Sequence, residues 1–281
     1  MIGITIEDIE EALKFYEIDD EDYYNRCLKC VDYLTENDLV MQFYSVLSPL
    51  YSDDLTNMWK IKSITQIFNF EDLWVTNIIL LLGYKLHMIN MKGHLFDDEQ
   101  VRLHKLRVRE CLTNDIWIRK LDGIRFSQLL WGLYFIRIKI IEVGRLQYGL
   151  SGKDIKIHIF GGTKLDYDEV LDSLKKSKSY IHKYFRLDKY NYYCNSWLLS
   201  KEILKLVDEE SNIAKFQSLF KISAGEECTD DILNHVYGIS SVENYDVLSE
   251  ETSLQRKIKD RLIKRKKFHL GCGKLKKMPV D

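Results

Sequence analysis

The first half of the chain repeats apolar side chains every three or four positions, which is the period of packed helices. The segment from Thr5 to Tyr16 opens with Thr5 three residues before Asp8, a spacing typical of a capped helix start. Other segments with the helical period are predicted as helices in the same way: 20–34, 70–91, 97–114 and 126–134.

The pattern changes near Ile136, where alternating and β-branched residues begin. The runs 136–150 and 155–160 are predicted as two strands, and Ser-Gly-Lys-Asp at 151–154 is typical of a four-residue hairpin connection. In the second strand, IKIHIF, isoleucines alternate with Lys156, His158 and Phe160, so these three residues share the opposite face.

Gly-Gly and a Lys follow this strand, and the next helix is predicted from Asp166 to Phe185. An aromatic strand follows at 190–200, and further helices are predicted at 200–210, 211–220 and 254–266 before a last strand at 268–277. We therefore expect an α/β (α+β) protein, with a mostly helical N-terminal domain (1–135) packed on a mixed β-sheet domain (136–281). No linker rich in Gly, Pro or Ser separates the two.

Composition narrows the class of protein. The chain has 281 residues, of which 46% are hydrophobic and 30% charged, so it can bury a core and is not a disordered polymer. The net charge of −2 argues against a general affinity for nucleic acid or anionic membranes. No stretch approaches the roughly 20 apolar residues of a membrane span, and the acidic amphipathic start is not a signal peptide, so we expect a cytoplasmic protein with no membrane partner.

One segment departs from this charge balance, because 253–277 carries eleven Lys or Arg and one acidic residue. Two interpretations stay open: a solvated helix face, or a patch for a phosphorylated ligand. Nucleic-acid binding through this segment is a third, weaker hypothesis, and its mark would be a steep salt dependence.

Cysteine and histidine spacings do not predict a metal site. Cys27 and Cys30 form a C-x-x-C without the second pair of a zinc site, so one face of a packed helix is the better interpretation. His87, His94 and His104 lack the spacing of a metal-binding motif and are predicted to be structural.

The unit with chemical content is strand, Gly161-Gly162 loop and helix. Glycines at such a corner let a ligand approach the backbone, and the free amides of the first helical turn attract an anion. Lys164 would add a positive charge, whereas Asp166 and Asp168 compete with a phosphate at this helix start. An ordinary turn remains the alternative.

Five blocks in order carry a family resemblance: GRLQYGL, IHIFGGTKLDYDEVLDSLKKS, CNSWLLS, SNIAKFQSLFKI and TSLQRKIKDRLIKRKKFHLGCGKL. Together with LLLGYKLHMINMKG in the first half, they resemble bacterial acyltransferase proteins that join a helical NAT-type N-terminal domain to a GNAT-like C-terminal domain. The resemblance implies that acyl-CoA lies in a cleft between two splayed strands, here IKIHIF and YYCNSWLL, and that an amine attacks the thioester directly.

The resemblance also implies residue roles. The pyrophosphate loop would be Phe160, Gly161, Gly162, Thr163 and Lys164, and Asn195 and Ser196 would bind the pantetheine amides. Transfer also needs one proton removed and one supplied. His158 is the candidate general base, because the unperturbed pKa of histidine is about 6.5, and a structural strand histidine is the alternative. Tyr193, or alternatively Tyr148, is the candidate general acid. Cys194 is interpreted as a buried thiol, since direct transfer to the amine needs no nucleophilic side chain from the enzyme.

Two departures from the family pattern matter. The loop has only Gly161-Gly162 in place of a Q/R-x-x-G-x-G/A motif, and Asn195 stands where we expect a histidine. The leading hypothesis is an N-acyltransferase that uses acetyl-CoA or another acyl-CoA, needs no metal, and acts on a small-molecule or peptide amine. The alternative is an inactive GNAT-like module that binds a metabolite or a protein.

Overall fold

The computed structural model describes residues 4–37, 39–51, 74–113, 126–161, 164–239 and 241–278. The chain divides into two compact units, Met1–Ile141 and Glu142–Asp281. Each unit is described separately below.

The first unit is helical in its described parts. The helices are α1 (Ile6–Tyr16), α2 (Glu21–Glu36), α3 (Val40–Tyr51), α4 (Trp74–Leu82), α5 (Tyr84–Gly93), α6 (Asp98–Thr113) and α7 (Phe126–Ile136). The predicted cap of α1 is confirmed, because Thr5 Oγ1 accepts a hydrogen bond from the backbone N–H of Asp8 at 3.1 Å. The predicted helix face of the C-x-x-C is also confirmed, since Cys27 and Cys30 are both buried on α2.

The prediction of one continuous helix over 70–91 is wrong where the structure describes it, from Trp74 onward. The chain turns at Gly83, whose N–H bonds to the carbonyl of Leu80, and α5 begins one residue later. A Cβ at Gly83 would lie 2.6 Å from Ile136 Cδ1 and 3.0 Å from the Leu80 carbonyl oxygen, so the turn needs glycine. The apolar period continues through the turn and hides it in the sequence.

The second unit is built on a six-stranded mixed sheet of order β1-β2-β3-β4-β6-β5. The strands are β1 (Ile140–Val143), β2 (Leu146–Ser151), β3 (Asp154–His158), β4 (Tyr192–Ser196), β5 (Phe220–Glu227) and β6 (His269–Leu275). Strands β3 and β4 are parallel, whereas the pairs β2–β3, β4–β6 and β5–β6 are antiparallel. The predicted hairpin is confirmed, but its connection has two residues and not four, because Ser151 and Asp154 pair as the last residues of the ladder.

Several boundaries differ from the prediction. The run 136–150 is not one strand, because Ile136 still belongs to α7 and a turn at Gly144, with φ of +57°, separates β1 from β2. The helices of the second unit are α8 (Tyr167–Phe185), α9 (Lys201–Leu204), α10 (Asn212–Ser218), α11 (Thr229–Tyr237) and α12 (Ser253–Ile263). Strand β5 and helix α11 lie where the sequence predicted no element. The β5 edge strand exposes most of its side chains and therefore has no strong alternation of polarity.

Helix α8 packs on one face of the sheet through buried hydroxyl groups. The Tyr148 hydroxyl lies 2.8 Å from Ser173 Oγ, which also donates to the carbonyl of Val143. The Tyr192 hydroxyl lies 2.7 Å from Ser177 Oγ. Because every one of these side chains is buried, the bonds fix α8 against β2 and β4.

Candidate active site

Strands β3 and β4 pair along only part of their length. Their parallel register joins Ile155 to Tyr192 and Lys156 to Tyr193, and no further pair follows. Beyond that point each strand pairs only with its outer neighbour in the described sheet: His158 with Gln147 on β2, and Asn195 with Cys272 on β6. The facing backbone edges of the two strands are therefore open to a ligand that can hydrogen-bond to them.

The strand register places three predicted site residues on one face of the sheet. Tyr193 lies beside Lys156, and side chains alternate along a strand, so His158, Tyr193 and Asn195 all point away from α8. Tyr193 is half-buried, with Lys274 Nζ 5.7 Å from its ring centre, and Asn195 is exposed. The structure thus brings together the predicted base, the predicted acid and one predicted pantetheine ligand.

His158 ends β3 in a half-buried position. A Cβ at Gly149 would lie 3.2 Å from its Nε2, so the imidazole lies across the space that a side chain on β2 would fill. Burial lowers the pKa of His158 to about 4, with a smaller contribution from the charge of Lys156. At neutral pH the imidazole is uncharged and can accept a proton.

The loop after β3 is held by a buried arginine. Arg145 donates from Nη1 to the carbonyl of Phe160 at 3.1 Å and from Nε to the carbonyl of Lys164 at 3.2 Å. Its guanidinium also stacks 4.8 Å from the centre of the Phe160 ring. Arg145 therefore binds a carbonyl at each end of the loop and fixes the positions of Phe160 and Lys164.

The structure describes only some of the predicted loop residues. Gly161 is exposed, and a Cβ there would meet nothing within 4 Å, so the described protein atoms do not themselves require glycine. Lys164 is exposed as well. Gly162 and Thr163 lie outside the described residues.

The start of α8 is already capped by a carboxylate. Asp166 Oδ1 accepts from the N–H groups of Asp168 at 2.9 Å and Glu169 at 3.1 Å. The backbone N–H groups of Asp168 and Glu169 are therefore not free for an anion. The side chains of the same two residues add further negative charge to the first turn. An anion at this corner would have the exposed Lys164 side chain nearby and would compete with Asp166 for the helix start.

The remaining predicted residues have structural contacts. Ser196 Oγ accepts from the N–H of Leu198 at 3.1 Å and so caps the short 3₁₀ turn Trp197–Leu199. Cys194 is buried on the α8 side, where burial raises the pKa of its thiol to about 12, as suits a packed thiol. Tyr148 is buried on that side too, and burial raises the pKa of its hydroxyl.

The basic segment 253–277 is largely engaged by the rest of its own unit. Lys259 pairs with Glu250 at 2.6 Å and Lys267 with Glu227 at 2.6 Å. Lys257 donates to the carbonyl of Leu206 at 2.6 Å, and the Arg261 guanidinium lies 5.1 Å from the Phe268 ring centre. For residues 253–268, these contacts favour the interpretation as a helix face over a ligand patch.

Within the described ranges, no group of three or more His, Cys, Asp or Glu side chains could hold a metal ion. No helix in the same part of the chain has the length and apolar character needed to cross a bilayer.

The sequence analysis missed Arg145. The residue sits in the GRLQYGL block directly after Gly144, in what reads as a polar turn, and is nevertheless only 6% exposed. The sequence did offer one signal: Arg145 stands between two apolar runs that become buried strands. A guanidinium buried there needs hydrogen-bond acceptors, so it must bind nearby carbonyls or carboxylates.

Comparisons with known proteins agree with this geometry. Residues 140–275 match the family described as GNAT-like C-terminal domain. An acyltransferase solved with octanoyl-CoA is similar over 97% of this chain and 88% of its own, with 18% identity and a TM-score of 0.72. An acyltransferase solved with decanoyl-CoA and teicoplanin is similar over 72% of this chain, with 21% identity and a TM-score of 0.62.

The match to the second structure spans 65% of that protein's length. None of the curated proteins compared with the chain matches it significantly. At 18–21% identity, the similarity to solved structures shows a shared fold and nothing about activity. The family match applies to residues 140–275 alone. Residues 140–275 thus match the GNAT-like C-terminal domain family and carry the mixed sheet of a GNAT-like fold, and a helical region precedes them in the chain.

Proposed function

We propose that the chain is an acyl-CoA-dependent N-acyltransferase that passes an acyl group directly from the thioester to an amine. The observation that carries the proposal is the opening between β3 and β4 directly before an arginine-held glycine loop. The structurally similar acyltransferases were solved with octanoyl-CoA and decanoyl-CoA, which supports the choice of donor.

The open strand edges suit the donor because pantetheine carries two amide groups. These amides would hydrogen-bond to the backbone beyond Lys156 and Tyr193, as an added strand would. The diphosphate would then reach the loop between Phe160 and Lys164, whose two end carbonyls are held by Arg145, and would hydrogen-bond to backbone amides of that loop. Asn195 would contribute its exposed side chain at the β4 edge.

The residues on the open face supply the proton transfers. His158, uncharged at neutral pH, would take a proton from the acceptor amine as its nitrogen attacks the thioester carbonyl. The new C–N bond replaces the C–S bond, and Tyr193 would donate a proton to the departing thiolate. The acceptor would be a small molecule or a peptide that carries an amine; teicoplanin is bound in one similar structure.

Calorimetric titration with acetyl-, octanoyl- and decanoyl-CoA tests donor binding, and mass spectrometry of an amine panel tests transfer. We expect micromolar binding of at least one donor and a gain of the matching acyl mass on an amine. Replacement of His158 by Ala should abolish transfer and leave donor affinity nearly unchanged, with Tyr193→Phe as the companion variant for the acid. Absence of binding at millimolar CoA would overturn the proposal.

Asp166 gives the inactive-module alternative a specific basis, since its carboxylate occupies the helix start where a phosphate would otherwise bind. Donor binding without transfer to any amine would favour that alternative.

A further inference from the structure

A second concave site lies at the opposite end of the sheet from the strand opening. It is a cavity of about 700 Å³, bordered by the first residues of β3 and β4 and by the chain directly after β6. Because β3 and β4 run in parallel from this end toward the opening, five residues of strand separate the two places, roughly 15 Å. The cavity is therefore distinct from the loop between Phe160 and Lys164.

The cavity wall is strongly basic. Five lysines border it: Lys153, Lys178, Lys189, Lys276 and Lys277. Lys276 donates to the carbonyl of Ser218 at 2.8 Å, whereas the other four ammonium groups have no ion-pair partner among the described residues. Four of the five cations are thus available to a ligand.

The two acidic residues of the wall are already hydrogen-bonded. Asp154 Oδ1 accepts from the backbone N–H of Asn191 at 2.9 Å and from its side chain at 3.0 Å, and these bonds hold the pKa of Asp154 below its usual value. Asp188 Oδ1 lies 2.7 Å from Nδ1 of His182. Two carboxylates do not balance five ammonium groups, so the cavity favours an anion.

Aromatic and apolar side chains border the same cavity. The rings of Tyr190 and Tyr192 meet edge to face with centroids 5.2 Å apart, and the Tyr192 hydroxyl is fixed by Ser177 at 2.7 Å. Leu275 and Met278 also border the cavity. A ligand that contacts both the lysines and the aromatic side chains carries oxyanions on an organic body. The cavity volume of about 700 Å³ suits a molecule of nucleotide size.

We propose that this cavity binds the phosphoryl oxygens of a phosphorylated small molecule, with Lys153 and Lys178 as charge partners and Tyr190 against its organic body. Lysine suits this role as a compact, mobile positive charge. The phosphoryl groups could belong to a free metabolite or to a CoA molecule, and the two sources are separated by the experiment.

The experiment titrates the full chain with inorganic pyrophosphate by calorimetry, at low and high salt. We expect binding that weakens with salt and that falls about tenfold or more in the double variant Lys153→Gln/Lys178→Gln. The matched control for the Lys178→Gln half of this variant is Lys176→Gln on the same helix. It removes one positive charge from a lysine paired with Asp172 outside the cavity, and it should change the affinity less than twofold.

A repeat titration in saturating CoA identifies the source of the phosphoryl groups. Unchanged pyrophosphate binding supports the cavity as the site of a separate metabolite. Competition by CoA that disappears in the double variant supports the same cavity with CoA phosphates as its ligand. The proposal is overturned if wild-type protein does not bind pyrophosphate, if Lys176→Gln weakens binding as much as the double variant, or if Lys164→Gln alone abolishes it.

Discussion

At the scale of single residues, Arg145 links three parts of the candidate site. It joins the turn after Gly144 to both ends of the loop through two carbonyl acceptors and one aromatic ring. We predict that Arg145→Lys, which keeps the charge and loses the two-pronged geometry, raises the Kd for CoA about tenfold or more, since bonds from charged donors contribute roughly 1.5–3 kcal/mol each. Calorimetric titration measures the Kd.

The matched control for this variant is Lys164→Gln, which removes a charge and leaves both loop carbonyls held by Arg145. We expect a smaller loss of affinity that high salt reduces further. Equal Kd values for wild type and Arg145→Lys would show that the loop does not depend on the arginine.

His158 gives a second prediction at this scale. Its pKa of about 4 reflects burial first and the positive charge of Lys156 second. Lys156→Gln should therefore raise the pKa of His158 while leaving it below the ordinary 6.5, because burial remains. Titration of the imidazole resonances by NMR measures this without any assay of activity.

If His158 is the base, the same variant moves the acid limb of the kcat/KM profile upward from about pH 4. A resonance that titrates near 6.5 in the wild type, or a pKa that falls in the variant, would contradict the assigned environment.

At the scale of elements, the Asp166 carboxylate at the N-terminus of α8 caps the helix and at the same time repels an anionic ligand. We predict that Asp166→Ala lowers the free energy of unfolding by about 1 kcal/mol, because two amides lose their acceptor. Asp166→Asn keeps an oxygen acceptor and removes the charge, so it should preserve stability and tighten CoA binding about two- to fivefold. Urea unfolding and calorimetry on the pair separate the two effects, and weaker CoA binding in Asp166→Asn would contradict this account.

Helices α5 and α6 meet through two buried histidines. The Tyr16 hydroxyl lies 3.2 Å from Nδ1 of His87, and the carbonyl of Phe135 lies 3.3 Å from Nδ1 of His104. Burial holds the pKa of His87 well below its usual value and lowers that of His104 to about 3. Both are neutral in the folded chain, whereas in the unfolded chain they take up protons near pH 6.5.

When the folded state lowers the pKa of a histidine, its stabilisation is complete above the unfolded pKa of about 6.5. That stabilisation is lost as the pH falls from 6.5 toward the folded-state pKa, which is about 3 for His104. We predict that the free energy of unfolding of the helical unit decreases below pH 6.5, with a limiting slope of about 1.4 kcal/mol per pH unit for each histidine. Denaturant unfolding at pH 7 and pH 5 measures it, and His104→Gln should reduce the slope. Equal stability at the two pH values would show that the imidazoles gain protons without unfolding.

At the scale of the whole molecule, we propose that the two units fold separately. The boundary between the units falls inside β1, so a fragment that keeps the whole sheet must begin before Ile140. A fragment of residues 137–281 should give a cooperative unfolding transition and bind CoA with nearly the affinity of the full chain. A fragment of residues 146–281 should lose both, because it lacks Arg145 and the Val143 carbonyl that accepts from Ser173. Circular dichroism and calorimetry test both fragments, and an unfolded 137–281 fragment would contradict separate folding.

The sequence by itself determined helices α1, α2, α6 and α7 of the first unit, the hairpin of the second and the strand and helix on either side of the glycine loop. It did not predict α3, and it merged α4 with α5. The features that it determined depend on local spacing: the cap at Thr5, the buried face of α2 and the alternation in β3 are each written within a few residues. The sequence also placed His158 on the strand face away from the isoleucines, since the period of two leaves no other choice.

Only the tertiary structure decided the rest, because the forces concerned act between residues far apart in the chain. The parting of β3 and β4 depends on the outer strands that hold each of them. The break at Gly83 depends on Ile136, the loop depends on Arg145, and the low pKa of His158 depends on burial that its neighbours in sequence do not supply. The basic cavity likewise gathers lysines from four separate segments, a grouping that no local pattern records.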